Sequence, residues 1–318
     1  MRNLVLLLIT LIFSWSNLDL LAQGKPDKHE IGFITDNDLY VSLFRDRYYT
    51  NGFYLNYRYL STKRSEHLLK QIFEMQVGHQ IYNPYKATVL LLSEHDRPYA
   101  AYLYGAFALQ NNYKNGNLIK LQLQLGVIGK KAFGREIQEA IHVLHHLRKM
   151  NGWDYQIANA FVLNLNTMFS KHLASRRYAD LHWTNQLRMG TIFTDLFTGL
   201  YGRIGLLKLQ PLSNSIAYHT QLNNISTKEK KRSELFIQTK LEVGYALYNA
   251  TIQGSFLNNN SPITYPITPF QIQGEVGLHY KIDNLSLAYT IHYYSKKIRN
   301  EVVPFSNTYG SIEFNVTF

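Results

Sequence analysis

Residues 119–127 read IKLQLQLGV, with apolar side chains at the odd positions and polar or small ones at the even positions. The same alternation recurs at 235–245 and at 270–281. A period of two residues over such a length is typical of a β-strand with one apolar and one polar face. The sequence therefore predicts an all-β fold built from long strands.

Two architectures use strands of this kind. A soluble sandwich or barrel turns its apolar face inward, and its strands have about 5–6 residues. A transmembrane barrel turns that face to lipid and needs strands of about 9–11 residues. Here the segments are long, their polar face carries Lys120, Lys240 and Glu242, and the alternation runs to a terminal Phe318, an ending that resembles the insertion signal of bacterial outer-membrane proteins. These features favour a transmembrane antiparallel β-barrel.

The composition excludes several classes of protein. The 318 residues include no cysteine, which excludes disulfide scaffolds, cysteine-ligated metals, thiol catalysis and a lipoprotein anchor. The mean hydropathy of −0.22 is too polar for a bundle of membrane helices. The 24 tyrosines fit aromatic girdles at the lipid–water interfaces, and the net charge of +11 suits an acidic membrane surface.

The N-terminus has the pattern of a secretory signal peptide. Arg2 precedes an apolar run at 4–15, which is too short to cross a bilayer comfortably, and the stretch Leu-Leu-Ala-Gln at 20–23 follows as an imperfect small-residue cleavage region. We therefore expect a signal peptide at 1–23 and a single outer-membrane β-barrel domain at 24–318. Because the mature chain would leave the cytoplasm, we expect no nucleic-acid partner.

Thirteen segments are candidate strands. They lie at 30–36, 51–60, 71–81, 99–110, 117–127, 155–167, 180–192, 200–209, 234–246, 248–257, 269–281, 284–295 and 307–318. Single-chain bacterial barrels have an even number of strands, so one candidate is false or split and we expect about 12. The alternation is poorest at 180–192 and 200–209.

If both chain ends lie in the periplasm, the connections after strands one, three and five lie outside the cell. The first connection, at 37–50, brings Asn37, Asp38 and Thr50 to its two ends, directly after Asp36. Such oxygen donors suit calcium or magnesium. The alternative is ordinary turn chemistry, because Asn and Asp favour turns.

The other two connections, 82–98 and 128–154, also hold polar clusters. In the first, Asp96 and Arg97 precede a proline, where they either rigidify the start of a strand or place a guanidinium for a phosphate. The second is the one place with helical spacing, and it predicts a short helix on which Glu139, His142 and His146 share a face. Histidines four residues apart on a helix can bind zinc, but the full motif is missing.

Taken together, the three connections resemble the lipid A 3′-O-deacylase (LpxR) family of outer-membrane enzymes. The matching pieces occur in order between residues 30 and 160, and the C-terminal half matches only as barrel strands. These pieces are Asn37-Asp38, Tyr49-Thr50-x-Gly52, Asp96-Arg97, the Gly-Val-Ile-Gly run at 126–129, Glu136-x-Gln138, His142, Trp153 and Gln156.

The resemblance implies a 12-stranded barrel whose active site lies between the barrel wall and the extracellular loops. It also implies calcium-dependent hydrolysis of the 3′-linked acyloxyacyl ester of lipid A. Carried over by position, His142 would activate water and Asp38 would bind calcium. Asn37 and Thr50 would complete the catalytic site. The glucosamine-phosphate headgroup would be held by Arg97 and Lys86.

One position departs from the family pattern. Arg148 stands where the family carries an acidic metal ligand, so either Asp36, Glu139 or Asp154 substitutes or the calcium is lost. No Gly-x-Ser-x-Gly motif offers a serine nucleophile instead. The expected protein is thus a monomeric ester hydrolase that acts on lipopolysaccharide among outer-membrane lipids. A noncatalytic barrel and a barrel phospholipase are the alternatives.

Overall fold

The computed structural model describes residues 27–41, 48–62, 65–85, 95–144, 151–223, 233–300 and 306–318. The predicted signal peptide, Lys86 and Arg148 lie outside these residues. Within the described part, the chain forms a closed barrel in which each strand pairs antiparallel with its sequence neighbours and β1 pairs with β12. The prediction of a 12-stranded antiparallel barrel is confirmed.

The strands are long, as expected for a barrel that crosses a membrane. They are β1 (His29–Asn37), β2 (Tyr48–Leu60), β3 (Leu68–Asn83), β4 (Ala100–Tyr113), β5 (Leu118–Ile128), β6 (Ala160–Ser175), β7 (Ala179–Gly190), β8 (Phe193–Gly205), β9 (Glu234–Asn249), β10 (Phe270–Ile282), β11 (Leu285–Ser295) and β12 (Ser306–Thr317). The helices are α1 (Gly134–Leu144) and α2 (Ala250–Gln253), with short 3₁₀ turns at Asp38–Tyr40, Lys130–Ala132, Trp153–Tyr155, Leu212–Asn214 and Ala217–His219. Among the described residues, no helix combines the length and apolar character needed to cross a membrane.

The two faces of the wall are inverted relative to a soluble barrel. On β5, the outward Leu121, Leu123 and Leu125 are 44%, 44% and 49% exposed. The lumen instead holds charged residues, with Arg58 donating to both Glu30 and Glu74 at 2.5 Å. Buried charges persist when they are paired in this way. The wall therefore presents its apolar side chains to the outside, where lipid would solvate them.

The connections fall into two groups at opposite ends of the barrel. We call the end that carries the connections after β1, β3, β5, β7, β9 and β11 the helix-bearing rim, because α1 and α2 lie there. The other end, which also carries both chain termini, is the terminal rim. The short helix predicted in the third connection is confirmed as α1.

The 28-residue connection between β8 and β9 enters the lumen from the terminal rim. Its residues 206–223, which we call the inner plug, pack Leu212 and Ile216 in an apolar cluster with Tyr201 of the wall. Lys70 of β3 donates to the backbone oxygens of Thr220 and Leu222, at 2.9 and 2.7 Å. The plug thus fills the lumen at this end.

The strand predictions contain one clear error. The segment 248–257 is not a strand, because β9 ends at Asn249 and the side chain of Asn249 then accepts the backbone N–H of Thr251 to begin α2. The two segments with the poorest alternation correspond to real strands, β7 and β8, although β8 begins at Phe193 rather than near 200.

Candidate active site at the helix-bearing rim

On the outer face of the wall, polar side chains lie where β1 and β2 reach the helix-bearing rim. Asn37 Nδ2 donates to Asn51 Oδ1 at 2.8 Å, and Asn37 Oδ1 accepts the backbone N–H of Leu39 at 2.7 Å. That second bond caps a 3₁₀ turn that begins at Asp38, whose side chain is buried. Cross-strand partners share a face, and the Asn37–Asn51 pair lies above the exposed Phe33–Leu55 pair. The site therefore begins on the outer surface of the wall.

The connection between β5 and β6 folds back against this outer surface. It buries Ala132 and Trp153 against Ile81, Tyr99 and Ala101 of the wall and its rim. The indole of Trp153 is fully buried. An apolar cluster outside the lumen therefore fixes the connection over β3 and β4, beside the outward ends of β1 and β2.

A glycine allows the helix to start this close to the wall. A Cβ on Gly134 would lie 2.4 Å from Ala101 Cβ and 2.5 Å from the Trp153 ring, and separations this short do not occur between packed atoms. Only glycine fits at the first residue of α1.

Helix α1 presents Gln138 and His142 to the protein interior. These residues are one turn apart, and both are buried. The Gln138 side-chain oxygen accepts the indole N–H of Trp153 at 2.8 Å, which orients the helix about its own axis. Arg135 lies on an exposed part of the connection, where it bonds Asp154 at 3.0 Å and approaches Glu139 at 3.7 Å. The buried side of α1 therefore carries the imidazole of His142.

The structure brings three of the predicted site residues to this rim: Asp38 and His142 are buried, and Asn37 is half-buried. Thr50 lies in β2 at the irregularity of register that precedes Asn51. Sequence reasoning did not select Asn51, which occupies the variable position of the Tyr-Thr-x-Gly motif.

Asn83 is a second residue that sequence reasoning missed. It is the last residue of β3, at the helix-bearing rim. Its side chain is completely buried, and neither its amide nitrogen nor its oxygen has a hydrogen-bond partner in the structure. A buried amide left in this state costs free energy unless a ligand satisfies it. No motif in the sequence points to this residue.

Other predicted residues lie elsewhere. Asp36 points into the lumen, where it accepts hydrogen bonds from Tyr49 at 2.6 Å and Ser311 at 2.5 Å. Arg97 is buried at the mouth of the lumen and donates to Thr251 on α2 at 2.8 Å.

These placements test whether the residues fit a calcium ion. Calcium takes six to eight oxygen ligands, including carboxylates. In the parts of the chain that the structure describes, no group of three or more His, Asp or Glu side chains is arranged to hold a metal. Asp36 lies on the other face of the wall, and Glu139 and Asp154 lie beside Arg135. Among the described residues, these three carboxylates therefore do not gather around Asp38, and a calcium role for Asp38 stays a prediction.

A closed barrel with an apolar exterior, a charged lumen and a connection packed on its outer wall defines an outer-membrane β-barrel. A family model described as "Outer membrane protein LpxR" matches residues 5–318. The chain belongs to this LpxR family of outer-membrane proteins.

Solved structures support the same fold. LpxR from Salmonella typhimurium is 19% identical, with a TM-score of 0.72 over 91% of this chain and 100% of that chain. The β domain of the Bordetella autotransporter BrkA is 7% identical, with a TM-score of 0.50 over 92% of this chain and 100% of that chain. No curated protein matches the sequence significantly.

Proposed function

We propose that the protein is a lipid A deacylase that hydrolyses the 3′-linked acyloxyacyl ester, with its helix-bearing rim facing the cell exterior. The carrying observation is the burial of His142 on the inner side of α1, within the connection that packs onto the outer wall over β3 and β4, at the same rim as Asn37 and Asp38. Membership of the LpxR family supports lipid A as the substrate.

In the proposed reaction, His142 accepts a proton from water as the water oxygen attacks the ester carbonyl carbon. The tetrahedral intermediate collapses when the bond between that carbon and the sugar oxygen breaks. His142 then returns its proton to the departing alkoxide. The products are a free acyloxyacyl acid and a sugar hydroxyl, and histidine suits both steps because it titrates near neutral pH.

The remaining residues would stabilise and orient the reacting groups. Negative charge develops on the carbonyl oxygen, and fixed hydrogen-bond donors at such a position lower the barrier. Asn83 is the donor we propose, because its buried amide has no partner. Asn37, Asp38 and Thr50 would complete the polar site.

The wall explains how an acylated substrate would reach this site. Below the rim, Leu55, Met75 and Val77 are 57%, 50% and 56% exposed on neighbouring strands. Acyl chains can lie along this apolar surface while the ester reaches the polar rim. The substrate therefore need not leave the membrane.

Purified protein in detergent micelles tests the substrate class. We expect it to release an acyloxyacyl acid from lipid A and no fatty acid from glycerophospholipid vesicles. The reverse pattern would identify a barrel phospholipase, and release from neither would identify a noncatalytic barrel. Repeating the lipid A assay with a chelator tests calcium dependence, which stays a prediction.

A further inference from the structure

A cavity of about 190 Å³ lies inside the lumen, beneath the helix-bearing rim. Its lining includes Arg97, Arg188, Lys297, Tyr82 and Tyr294. These side chains face inward, whereas the candidate active site lies on the outer surface of the wall. The cavity is therefore a separate compartment.

Arg97 is a buried cation that forms no ion pair with a carboxylate among the described residues. Its guanidinium carbon lies 4.5 Å from the centre of the Tyr82 ring, and one nitrogen donates to Thr251. Its Nε has no hydrogen-bond partner. The adjacent Asp96 accepts hydrogen bonds from the Tyr48 hydroxyl at 3.0 Å and the Tyr85 backbone N–H at 2.9 Å.

Lys297 adds a second cation without a described carboxylate partner. Its ammonium lies 3.5 Å from the centre of the Tyr294 ring. The nearby Arg188 is neutralised, because it bonds both oxygens of Asp195 at 2.8 and 2.5 Å. Two cations that form no ion pair with a described carboxylate therefore face one cavity, an arrangement that an entering anion would stabilise.

We propose that this cavity binds a phosphate group, held by Arg97 and Lys297. A guanidinium with a free donor and an ammonium are groups that recognise phosphate oxygens. The phosphate can be a free ion or part of a phosphorylated sugar headgroup. Only the second source relates to the proposed deacylase function.

Binding should depend on pH. Burial, followed by the positive charges of Arg188 and Arg97, lowers the pKa of Lys297 to about 7, and Asp195 opposes this in part. A lysine with a lowered pKa is neutral above that value and charged below it. Sulfate is the suitable probe for this dependence, because, unlike phosphate, it keeps its own charge across this pH range. The affinity of the cavity for sulfate should rise as the pH falls through about 7.

Calorimetry on the full chain in detergent micelles tests the site with inorganic phosphate and then with a phosphorylated glucosamine. We expect saturable binding of both, weakened about tenfold or more by Lys297→Gln and by Arg97→Gln. Stronger binding of the sugar phosphate would identify a headgroup as the source. Preference for the free ion would identify phosphate itself.

Controls separate this proposal from the proposed function. Lys114→Gln removes an exposed charge at the terminal rim and should leave binding unchanged. His142→Ala should also retain phosphate binding, whether or not the protein deacylates lipid A. Lys297 is only partly buried, so its variant carries the test if Arg97→Gln misfolds by circular dichroism. No saturable binding, or equal binding by wild type and Lys297→Gln, would overturn the proposal.

Discussion

At the scale of single residues, strand alternation separates side chains that look equivalent in the sequence. Asp36 and Asp38 are both acidic residues of one motif, yet Asp36 faces the lumen and bonds Tyr49 and Ser311. The sequence predicted Asn37, Asp38 and His142 as one group, and the structure places all three at one rim, with Asp38 and His142 buried and Asn37 half-buried. The sequence alone could not exclude Asp36 as a metal ligand, because the register of β1 with its neighbours decides which face of the wall a residue occupies.

The hydrogen bond between Gln138 and Trp153 should hold α1 in place. Replacing Gln138 with Leu leaves the buried indole N–H without its acceptor, which costs about 1–3 kcal/mol. Hydrogen–deuterium exchange in α1 should accelerate, and lipid A hydrolysis should fall. Val143→Ala on the same helix is the matched control, because Val143 is 76% exposed. Equal exchange protection in Gln138→Leu and wild type would show that the bond does not hold the helix.

At the scale of elements, the alternation identified most strands but weakened where the lumen is apolar. On β8 the inward Phe197 and Tyr201 replace the polar residues expected there, and Tyr201 packs against the inner plug. A plug that brings its own apolar side chains removes the need for a polar inner face. The sequence offers no periodic signal for such a segment, so the plug was not predicted.

The approach of α1 to the wall can be tested at its first residue. Gly134→Ala should push the connection away from Ala101 and Trp153, at a cost of about 1–3 kcal/mol, because overpacking forces a shift. We expect reduced hydrolysis with an intact barrel, measured by activity and circular dichroism together. Gly105→Ala on β4 is the control, because its Cβ would meet no atom within 4 Å. Equal activity of the two variants would contradict the packed arrangement.

At the scale of the whole molecule, the barrel is a filled scaffold. Ion pairs such as Lys240 with Glu275, at 2.7 Å, occupy the middle of the lumen, and the inner plug occupies the terminal end. The candidate active site accordingly lies at the helix-bearing rim and on the outer wall rather than in the middle of the lumen.

A filled lumen should not conduct ions. In planar bilayers we expect the wild-type protein to give no steady open channel, because the inner plug packs into the terminal end and buried ion pairs occupy the lumen above it. Single-channel recording at several voltages measures this directly. A stable open conductance at low voltage would show that the plug does not close the barrel.

The most direct test of the proposed function is mass spectrometry of lipid A from cells that express matched amounts of wild type, His142→Ala or His67→Ala. His67 is exposed at the terminal rim and serves as the control. We expect wild type and His67→Ala to remove an acyloxyacyl mass, and His142→Ala to lower that activity by about 10²–10⁴-fold. Identical lipid A from all three strains, or full activity in His142→Ala, would contradict a histidine-activated deacylase.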